Sequence, residues 1–201
     1  MTGAMFHVKH EASLPALDVR QAETLDRYEA LLRARAVPAG MISSDDASRL
    51  RERHLDDSLR AAAAVTAGDR EAYDLGSGAG LPGVVVAIAR PHLHVTLVER
   101  RRTRAAFLEL VVDELHLPNA SVFPGGLDQL ATPVDVVFAR ALASITRSWA
   151  LAEPLLGPGG RLVYFAGAGF DPRTELPEGV DAIVLHAALA PSGPLVIMAR
   201  Q

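Results

Sequence analysis

The segment Tyr73–Gly83, with the sequence YDLGSGAGLPG, places four glycines within eight residues directly after a short apolar run. Glycine tolerates a positive φ angle and lets a ligand approach bare main chain. Pro82 suits the start of a helix, where its missing N–H has no partner to lose. The pattern therefore predicts a strand, a tight turn and a helix, with a ligand bound at the turn.

Two classes of ligand fit this turn. Residues Gly78–Gly83 have the spacing G-x-G-x-x-G of dinucleotide-binding folds, whereas Asp74–Gly80 reads D-x-G-x-G-x-G, which is typical of S-adenosylmethionine binders. A pyrophosphate is anionic and binds a helix N-terminus best with no carboxylate nearby. S-adenosylmethionine carries a sulfonium and an ammonium instead. We therefore favour S-adenosylmethionine as the cofactor and expect Asp74, Gly76, Gly78 and Gly80 to bind it, with Asp74 facing its cationic methionine end.

Acidic residues follow the next two predicted strands. Glu99 ends the second strand, about 20 residues downstream, where such folds place an acid that binds ribose hydroxyls. The alternative is that Glu99 pairs with the basic run 100–104. Leu127 and Asp128 follow the third strand, where an aspartate can accept a hydrogen bond from the adenine amino group. Asp128 can also serve as the N-cap of a short helix.

The rest of the chain divides into three regions. Residues 1–14 show no periodic pattern and are predicted to be a flexible tail, in which His7 and His10 are solvated and bind no metal. Residues 15–68 are predicted to form two helices packed on the core, the second capped by Ser43 or Ser44 and closed by Gly68. Residues 69–201 alternate between strands and helices. The predicted strands lie near 72–75, 94–98, 120–123, 134–139, 161–165, 182–186 and 194–199.

This alternation predicts the α/β class, with parallel strands joined by helices near 82–90, 101–116 and 142–156 and weaker helices near 127–131 and 171–176. The last two strands are separated by a short Pro- and Gly-containing stretch, which leaves no room for a helix. They are therefore predicted to form an antiparallel pair at the sheet edge. We expect one structural unit with a doubly wound sheet of about seven strands.

Composition excludes several classes of protein. The chain has 201 residues, of which 49% are hydrophobic and 22% charged, and its net charge is −4. It has no cysteine, which excludes disulfides, thiolate metal sites and a cysteine nucleophile. The longest apolar run, Val84–Ala89, is far shorter than the roughly 20 residues of a membrane span. With no secretory signal in the first residues, we expect a cytoplasmic protein that acts as a monomer.

Three segments carry a resemblance to a known family. Arg53–Leu59 matches the pattern R-H-x-x-D-S-L, Asp74–Gly83 matches D-x-G-[ST]-G-x-G-L-P-G, and Ala139–Ser144 matches [SA]-R-A-x-A-x. Together they resemble the small-subunit ribosomal RNA methyltransferase G family, also called glucose-inhibited division protein B. The resemblance implies a Rossmann-like S-adenosylmethionine-dependent methyltransferase fold behind an N-terminal helical segment. It also implies methylation at N7 of a guanine in 16S ribosomal RNA, either naked or in the small subunit.

The same resemblance assigns roles to particular residues. The donor-binding positions that it implies are Gly76, Leu81, Leu127, Asp128 and Arg140. It places Arg53, His54 and Asp57 on the surface near donor and RNA, although Arg53 and Asp57 are also spaced as an ordinary helix-surface pair. The chain departs from the family pattern at Ala166, where a lysine is usual, and at residues 40–43.

Methyl transfer to guanine N7 needs no general base from the protein. Guanine N7 already has a lone pair, so no proton must be removed before attack. Catalysis then consists mainly of aligning N7, the methyl carbon and the sulfur. Arg140 is the predicted catalytic residue, which orients the guanine through its major-groove edge or braces the donor pocket. The alternatives are a small-molecule methyltransferase, a donor-binding but inactive paralogue and, less favoured, an NAD-dependent oxidoreductase.

Overall fold

A single mixed sheet of eight strands organises the chain. The computed structural model describes residues 6–10, 14–186 and 193–199. The strands are β1 (Phe6–His10), β2 (Glu71–Leu75), β3 (His94–Val98), β4 (Ala120–Phe123), β5 (Val134–Arg140), β6 (Leu156–Phe165), β7 (Ala182–His186) and β8 (Leu195–Ala199). The α-helices are α1 (Val19–Leu31), α2 (Asp57–Ala63), α3 (Gly83–Ala89), α4 (Arg102–Glu114), α5 (Ile145–Ala152) and α6 (Pro172–Glu175).

The strand order across the sheet is β1-β7-β8-β6-β5-β2-β3-β4. β8 runs antiparallel to both of its neighbours, and the other pairs are parallel. This arrangement confirms the predicted α/β class with an antiparallel closing pair. Parallel strands bring their C-terminal ends to one edge of the sheet, so the loops after β2, β3, β4 and β5 meet there.

The first strand corrects the prediction of a flexible tail at residues 6–10, whereas residues 1–5 and 11–13 of the predicted tail lie outside the described residues. Phe6–His10 pairs in parallel with β7, with Phe6 opposite Ala182. Phe6 packs against the core on one face, while Val8 remains largely exposed. Alternation of Phe6 and Val8 with polar residues is the two-residue period of a strand. β1 also covers β7, so the closing antiparallel pair does not form the edge of the sheet as predicted.

Side chains of the sheet alternate between two cores. On β5, Val136 and Phe138 belong to the core that contains α1–α4, whereas Val137 and Ala139 belong to the core that contains α5. Both faces of the parallel strands are therefore covered, which explains why these strands are almost continuously apolar. No helix among the described residues is long and apolar enough to cross a membrane.

The first helix packs onto the glycine-rich turn. α1 begins with a capping box, in which Asp18 accepts from the Gln21 N–H and the Gln21 side chain accepts from the Asp18 N–H. Tyr28, which is fully buried, donates its hydroxyl to the Ala79 carbonyl over 2.7 Å. This bond ties the N-terminal segment to the loop on which the ligand prediction depends.

The second predicted helix is divided into three kinds of turn. A 3-10 segment (Ser44–Arg49) with Ser43 as its N-cap is followed by a π-helical segment (Arg51–Asp56) and then by α2. π-Helical turns are rare and are frequently found at functional sites, although a second one, Leu32–Ala36, lies outside both cavities described below. Here the π-helical segment contains the first half of the R-H-x-x-D-S-L pattern. Its side chains therefore do not have the spacing that a regular α-helix would give them.

Candidate functional site

Two cavities open side by side at the C-terminal edge of the parallel strands, and Ala141 lines both of them. The glycine-loop cavity has a volume of about 480 Å³. Its lining contains Gly76, Glu99, Arg100, Arg101, Arg104, Gly125, Gly126, Leu127, Asp128, Leu142, Ala143 and Arg147, among others. The Arg140 cavity has a volume of about 520 Å³. Its lining contains Arg53, His54, Asp57, Arg140, Tyr164, Phe165, Ala166, Gly167, Ala168 and Gly193.

The glycines of the loop have different tasks. Gly76 has a φ of +70° and lines the cavity. Gly80 is used for packing instead, because a Cβ there would lie 2.6 Å from Val84 Cγ2 and 2.8 Å from the Tyr28 hydroxyl. Leu81 packs against the core on the α1 side. Of the loop positions predicted from the sequence, Gly76 therefore lines the cavity, whereas Gly78, Gly80 and Leu81 are outside its described lining.

Asp74 lies beneath the loop and not in the cavity. Asp74 is 1% exposed, and its Oδ2 accepts a hydrogen bond from the Gly83 N–H over 3.1 Å. Burial raises the pKa of Asp74 from 3.8 to about 6, against the opposing effect of hydrogen bonds from Ser77 and the Gly83 N–H. The contact of Asp74 with the methionine end of the donor stays a prediction. The carboxylate instead holds the first turn of α3 against β2.

The same contact weakens the dinucleotide alternative. A pyrophosphate needs the free N–H groups at the start of the helix after the loop. Here the Gly83 N–H is already bonded to Asp74, which also places a titratable acid at that helix end. Gly83 itself has no free face, because a Cβ there would lie 2.4 Å from Leu97 Cδ2.

Glu99 connects the loop to α4 and lines the cavity. Its Oε2 accepts from the Gly78 N–H over 3.1 Å, and its Oε1 accepts from the Arg101 N–H over 2.8 Å. Arg104 Nη1 lies 4.0 Å from Oε2. Since a carboxylate can accept about four hydrogen bonds, Glu99 retains capacity for a pair of hydroxyls. Both sequence interpretations of Glu99 are therefore compatible with its position.

The loop after β4 forms the opposite wall. Leu127 and Asp128 both line the cavity, and the Asp128 side chain is exposed. The short 3-10 helix Leu127–Gln129 begins after Gly126, which occupies the N-cap position. The interpretation of Asp128 as an N-cap is therefore wrong. Arg147 of α5 also reaches this cavity and was missed, because it lies in a predicted helix without any motif.

Arg140 belongs to the second cavity. Its Nη2 contacts the Arg53 carbonyl and Asp57 Oδ2, both over 2.9 Å. Its Nη1 donates to Ser58 Oγ over 3.1 Å and to the His54 carbonyl over 3.4 Å. Three of these contacts are hydrogen bonds, and the fourth is an ion pair. Arg140 thus ties the end of β5 to the π-helical segment, and it does not line the glycine-loop cavity where the resemblance placed it.

Asp57 is shared between two arginines. Its Oδ2 contacts Arg140, and its Oδ1 accepts from Arg60 Nη1 over 2.7 Å. Arg60 in turn donates to the Gly193 carbonyl over 3.0 Å. This buried chain links the end of β5, through α2, to Gly193 just before β8. The alternative i, i+4 pair of Arg53 with Asp57 is wrong, because Arg53 pairs with Asp46 over 2.6 Å.

His54 has one unsatisfied nitrogen. Its Nε2 is buried, makes no hydrogen bond to any described residue and lies 3.5 Å from Asp46 Oδ2. Burial, followed by the charge of Arg140, lowers the pKa of His54 below its ordinary value. The imidazole is therefore neutral at physiological pH.

The fold and this edge of the sheet define a class of protein. The sheet is mostly parallel with an antiparallel β8, a glycine-rich turn follows β2 and an acid follows β3. This is the arrangement of the Rossmann-like S-adenosylmethionine-dependent methyltransferases. Solved structures share this fold. The cofactor-bound protein Rv0187 from MTB superposes with a TM-score of 0.57 at 20% identity, over 90% of this chain and 89% of that one. An rRNA methylase from Streptococcus thermophilus gives 0.50 at 16% identity, over 75% and 97%.

Sequence comparison gives the family. The model of the family described as rRNA small subunit methyltransferase G matches residues 21–190. Ribosomal RNA small subunit methyltransferase G of Acidiphilium cryptum is 40% identical over 171 residues, which are 84% of this chain and 77% of that protein. The protein of the same name from Acidothermus cellulolyticus is 39% identical over 71% of this chain and 64% of its own length. The chain belongs to the rRNA small subunit methyltransferase G family.

Proposed function

We propose that this chain transfers a methyl group from S-adenosylmethionine to N7 of a guanine in 16S ribosomal RNA. The observation that carries the proposal is the shared wall of the two cavities. Ala141, at a φ of +51°, lines both and directly follows Arg140 at the end of β5. A donor in one cavity and a base in the other would meet there. The names and motifs of the family support the RNA substrate.

The glycine-loop cavity fits the donor. Its volume lies in the range of small-ligand pockets. Glu99 has acceptor capacity for the ribose hydroxyls, and Asp128 is exposed at the wall where it can accept from an adenine amino group. Gly76 presents main chain, and Leu127 and Leu142 present apolar surface. S-adenosylmethionine supplies a methyl group activated by its positively charged sulfur.

The Arg140 cavity fits an acceptor that needs no general base. Its carboxylate, Asp57, is engaged by Arg140 and Arg60. Guanine N7 attacks through its existing lone pair. Tyr164 and Phe165 line the cavity, and the Arg140 guanidinium lies 5.1 Å from the centroid of the Phe165 ring. Flipped or single-stranded bases commonly stack on aromatic side chains. Because Arg140 contacts Arg53, His54, Asp57 and Ser58 within the protein, we assign it to positioning the cavity wall.

Alignment is then the main source of rate acceleration. Holding two reactants in line can supply about 7–11 kcal/mol of the barrier. The Arg140–Asp57–Arg60 network fixes the wall against which the base is held, and the Glu99 contacts fix the glycine loop. We infer that the chain works as a monomer in the cytoplasm, where small subunits are assembled.

One observation favours a second candidate. Ala166, which replaces the usual lysine of the family, lines the Arg140 cavity, and its N–H donates to the Pro194 carbonyl over 3.0 Å. An ammonium group is thus missing from the acceptor wall. A donor-binding protein that methylates a small molecule, or that has lost transfer to RNA, is the corresponding alternative.

A methyl-transfer assay separates these functions. The chain is incubated with labelled S-adenosylmethionine and, in parallel, with under-methylated small subunits, naked 16S RNA or guanosine, and N7-methylguanine is then mapped by chemical cleavage. We expect label at one guanine of the subunit or RNA. Label on guanosine alone would support the small-molecule alternative. Donor binding without label in any of the three would support the inactive one.

A further inference from the structure

Four arginines surround the mouth of the glycine-loop cavity. They are Arg100, Arg101, Arg104 and Arg147, here called the arginine rim. Arg100, Arg101 and Arg147 are exposed, and Arg104 is partly exposed. The same lining contains two acids, Glu99 and Asp128, so the lining carries an excess of positive charge.

The position of this rim lowers the stability of the fold. Three of its arginines lie at the N-terminal end of α4, and the first turn of that helix contains no acidic residue. The helix dipole is positive at this end, and each added cation there is destabilising. Glu99, whose Oε2 lies 4.0 Å from Arg104 Nη1, offsets only part of this charge. A local arrangement that costs stability without a structural gain indicates a functional surface.

The charge of the donor does not explain the rim. S-adenosylmethionine carries a sulfonium, an ammonium and one carboxylate, so it is a cation overall, whereas the demethylated product is neutral overall. A positive rim disfavours the donor more than the product. Arginine is instead well matched to phosphate, which it binds through paired N–H groups.

We propose that the arginine rim binds the phosphate backbone of the RNA and that, once the phosphates neutralise it, the cavity prefers the cationic donor over the neutral product. This role rests on the proposed function, since it takes RNA as the substrate. The two binding events are then mutually favourable by thermodynamic linkage. RNA in place promotes donor loading, and its departure removes the preference for the donor.

The size of the coupling follows from the exposure of the rim. Exposed charges interact weakly with a ligand in water and are screened by salt. When the interactions of all four rim arginines are added, we expect RNA to raise the affinity for a cationic donor about three- to tenfold at low salt. The affinity for the neutral product is expected to stay unchanged.

The test uses a cationic donor analogue that cannot transfer a methyl group. Sinefungin has an amine in place of the sulfonium, and S-adenosylhomocysteine is the neutral counterpart. Both are titrated into the full chain with and without unmethylated 16S RNA transcript, in the wild type and in the double variant Arg101→Gln/Arg147→Gln. The control is Arg20→Gln. Arg20 is exposed beside Gln21, whose side chain contacts Ile88 near the far end of α3.

We expect the rim variant to lose at least about tenfold in RNA affinity, and its slope of log K against log salt to fall by about 1.4–1.8. Its preference for sinefungin in the presence of RNA is expected to disappear, and its sinefungin affinity without RNA to stay equal or rise. The control is expected to behave as the wild type.

Three results would overturn the inference. If the rim variant binds RNA as tightly as the control does, the rim is not the docking surface, although the proposed function stands. If removal of the arginines weakens sinefungin binding without RNA, they contact the donor itself. If the wild type binds sinefungin but no RNA, the RNA substrate of the proposed function fails together with the rim.

Discussion

Replacing Arg140 tests whether the glycine-loop cavity binds the methyl donor while the Arg140 cavity holds the acceptor base. Arg140→Ala removes the guanidinium that bonds the carbonyls of Arg53 and His54, the hydroxyl of Ser58 and the carboxylate of Asp57. Arg140→Lys keeps a positive charge, but a single ammonium cannot reproduce these four contacts from a planar fork.

The expected magnitudes follow from burial. The alanine variant leaves Asp57 with Arg60 as its remaining arginine partner and leaves two carbonyls without this donor. Because Asp57 stays paired with Arg60, the cost comes mainly from the lost hydrogen bonds of Arg140 and is expected to be about 1–3 kcal/mol of unfolding free energy. Because alignment supplies most of the rate, we expect kcat for methyl transfer to fall at least about 100-fold in both variants. Donor affinity is expected to change by less than about threefold, since Arg140 does not line the glycine-loop cavity.

The assay combines urea unfolding, titration of the donor and single-turnover transfer to 16S RNA at a temperature where the variants remain folded. The matched control is Arg173→Ala, which removes an exposed ion pair with Asp171. An Arg140→Lys protein with unchanged turnover would refute the role of the wall. A folded Arg140→Ala protein that has lost donor binding would show that Arg140 serves the donor instead.

Three further predictions concern the glycine loop. Tyr28→Phe removes the buried hydroxyl that donates to the Ala79 carbonyl and is expected to lower the unfolding free energy by about 1–3 kcal/mol in urea melts. It is also expected to weaken binding of the methyl donor in a titration. An unchanged stability would contradict this. Burial raises the pKa of Asp74 to about 6, so the folded state holds this proton more tightly than the unfolded state and loses stability as pH rises from about 4 to 6. In urea melts, Asp74→Asn is therefore expected to gain stability relative to wild type between pH 4.5 and pH 7, and a constant difference would refute the shift. Gly80→Ala is expected to cost at least about 1–3 kcal/mol from overpacking, whereas Gly169→Ala, where a Cβ meets nothing within 4 Å, is expected to be nearly neutral in the same melts.

The sequence predicts most of the sheet because its strands are continuous apolar runs bounded by glycine, proline or charge. Seven strands were predicted within a few residues of their observed bounds. β1 was missed because Phe6–His10 contains only two apolar residues, of which Val8 remains largely exposed. Its stability depends on pairing with β7, about 175 residues away, and no local pattern reports such a contact.

The site was predicted less completely because a motif does not say which way a residue faces. Glu99, Leu127 and Asp128 line the expected cavity, but Asp74 and Gly80 serve packing beneath the loop. The pattern D-x-G-x-G-x-G contains both kinds of position, and only the packing of α1 and α3 distinguishes them. Likewise the π-helical turn at Arg51–Asp56 breaks the 3.6-residue spacing on which a predicted pair of Arg53 with Asp57 depends.

Calorimetric titration of the unmodified chain with S-adenosylmethionine, S-adenosylhomocysteine and NAD tests the function of the glycine-loop cavity most directly. One molecule of either sulfur compound is expected to bind per chain, and NAD is expected to give no heat of binding. Binding of NAD, or the absence of binding by both sulfur compounds, would contradict the assignment of this cavity to a methyl donor.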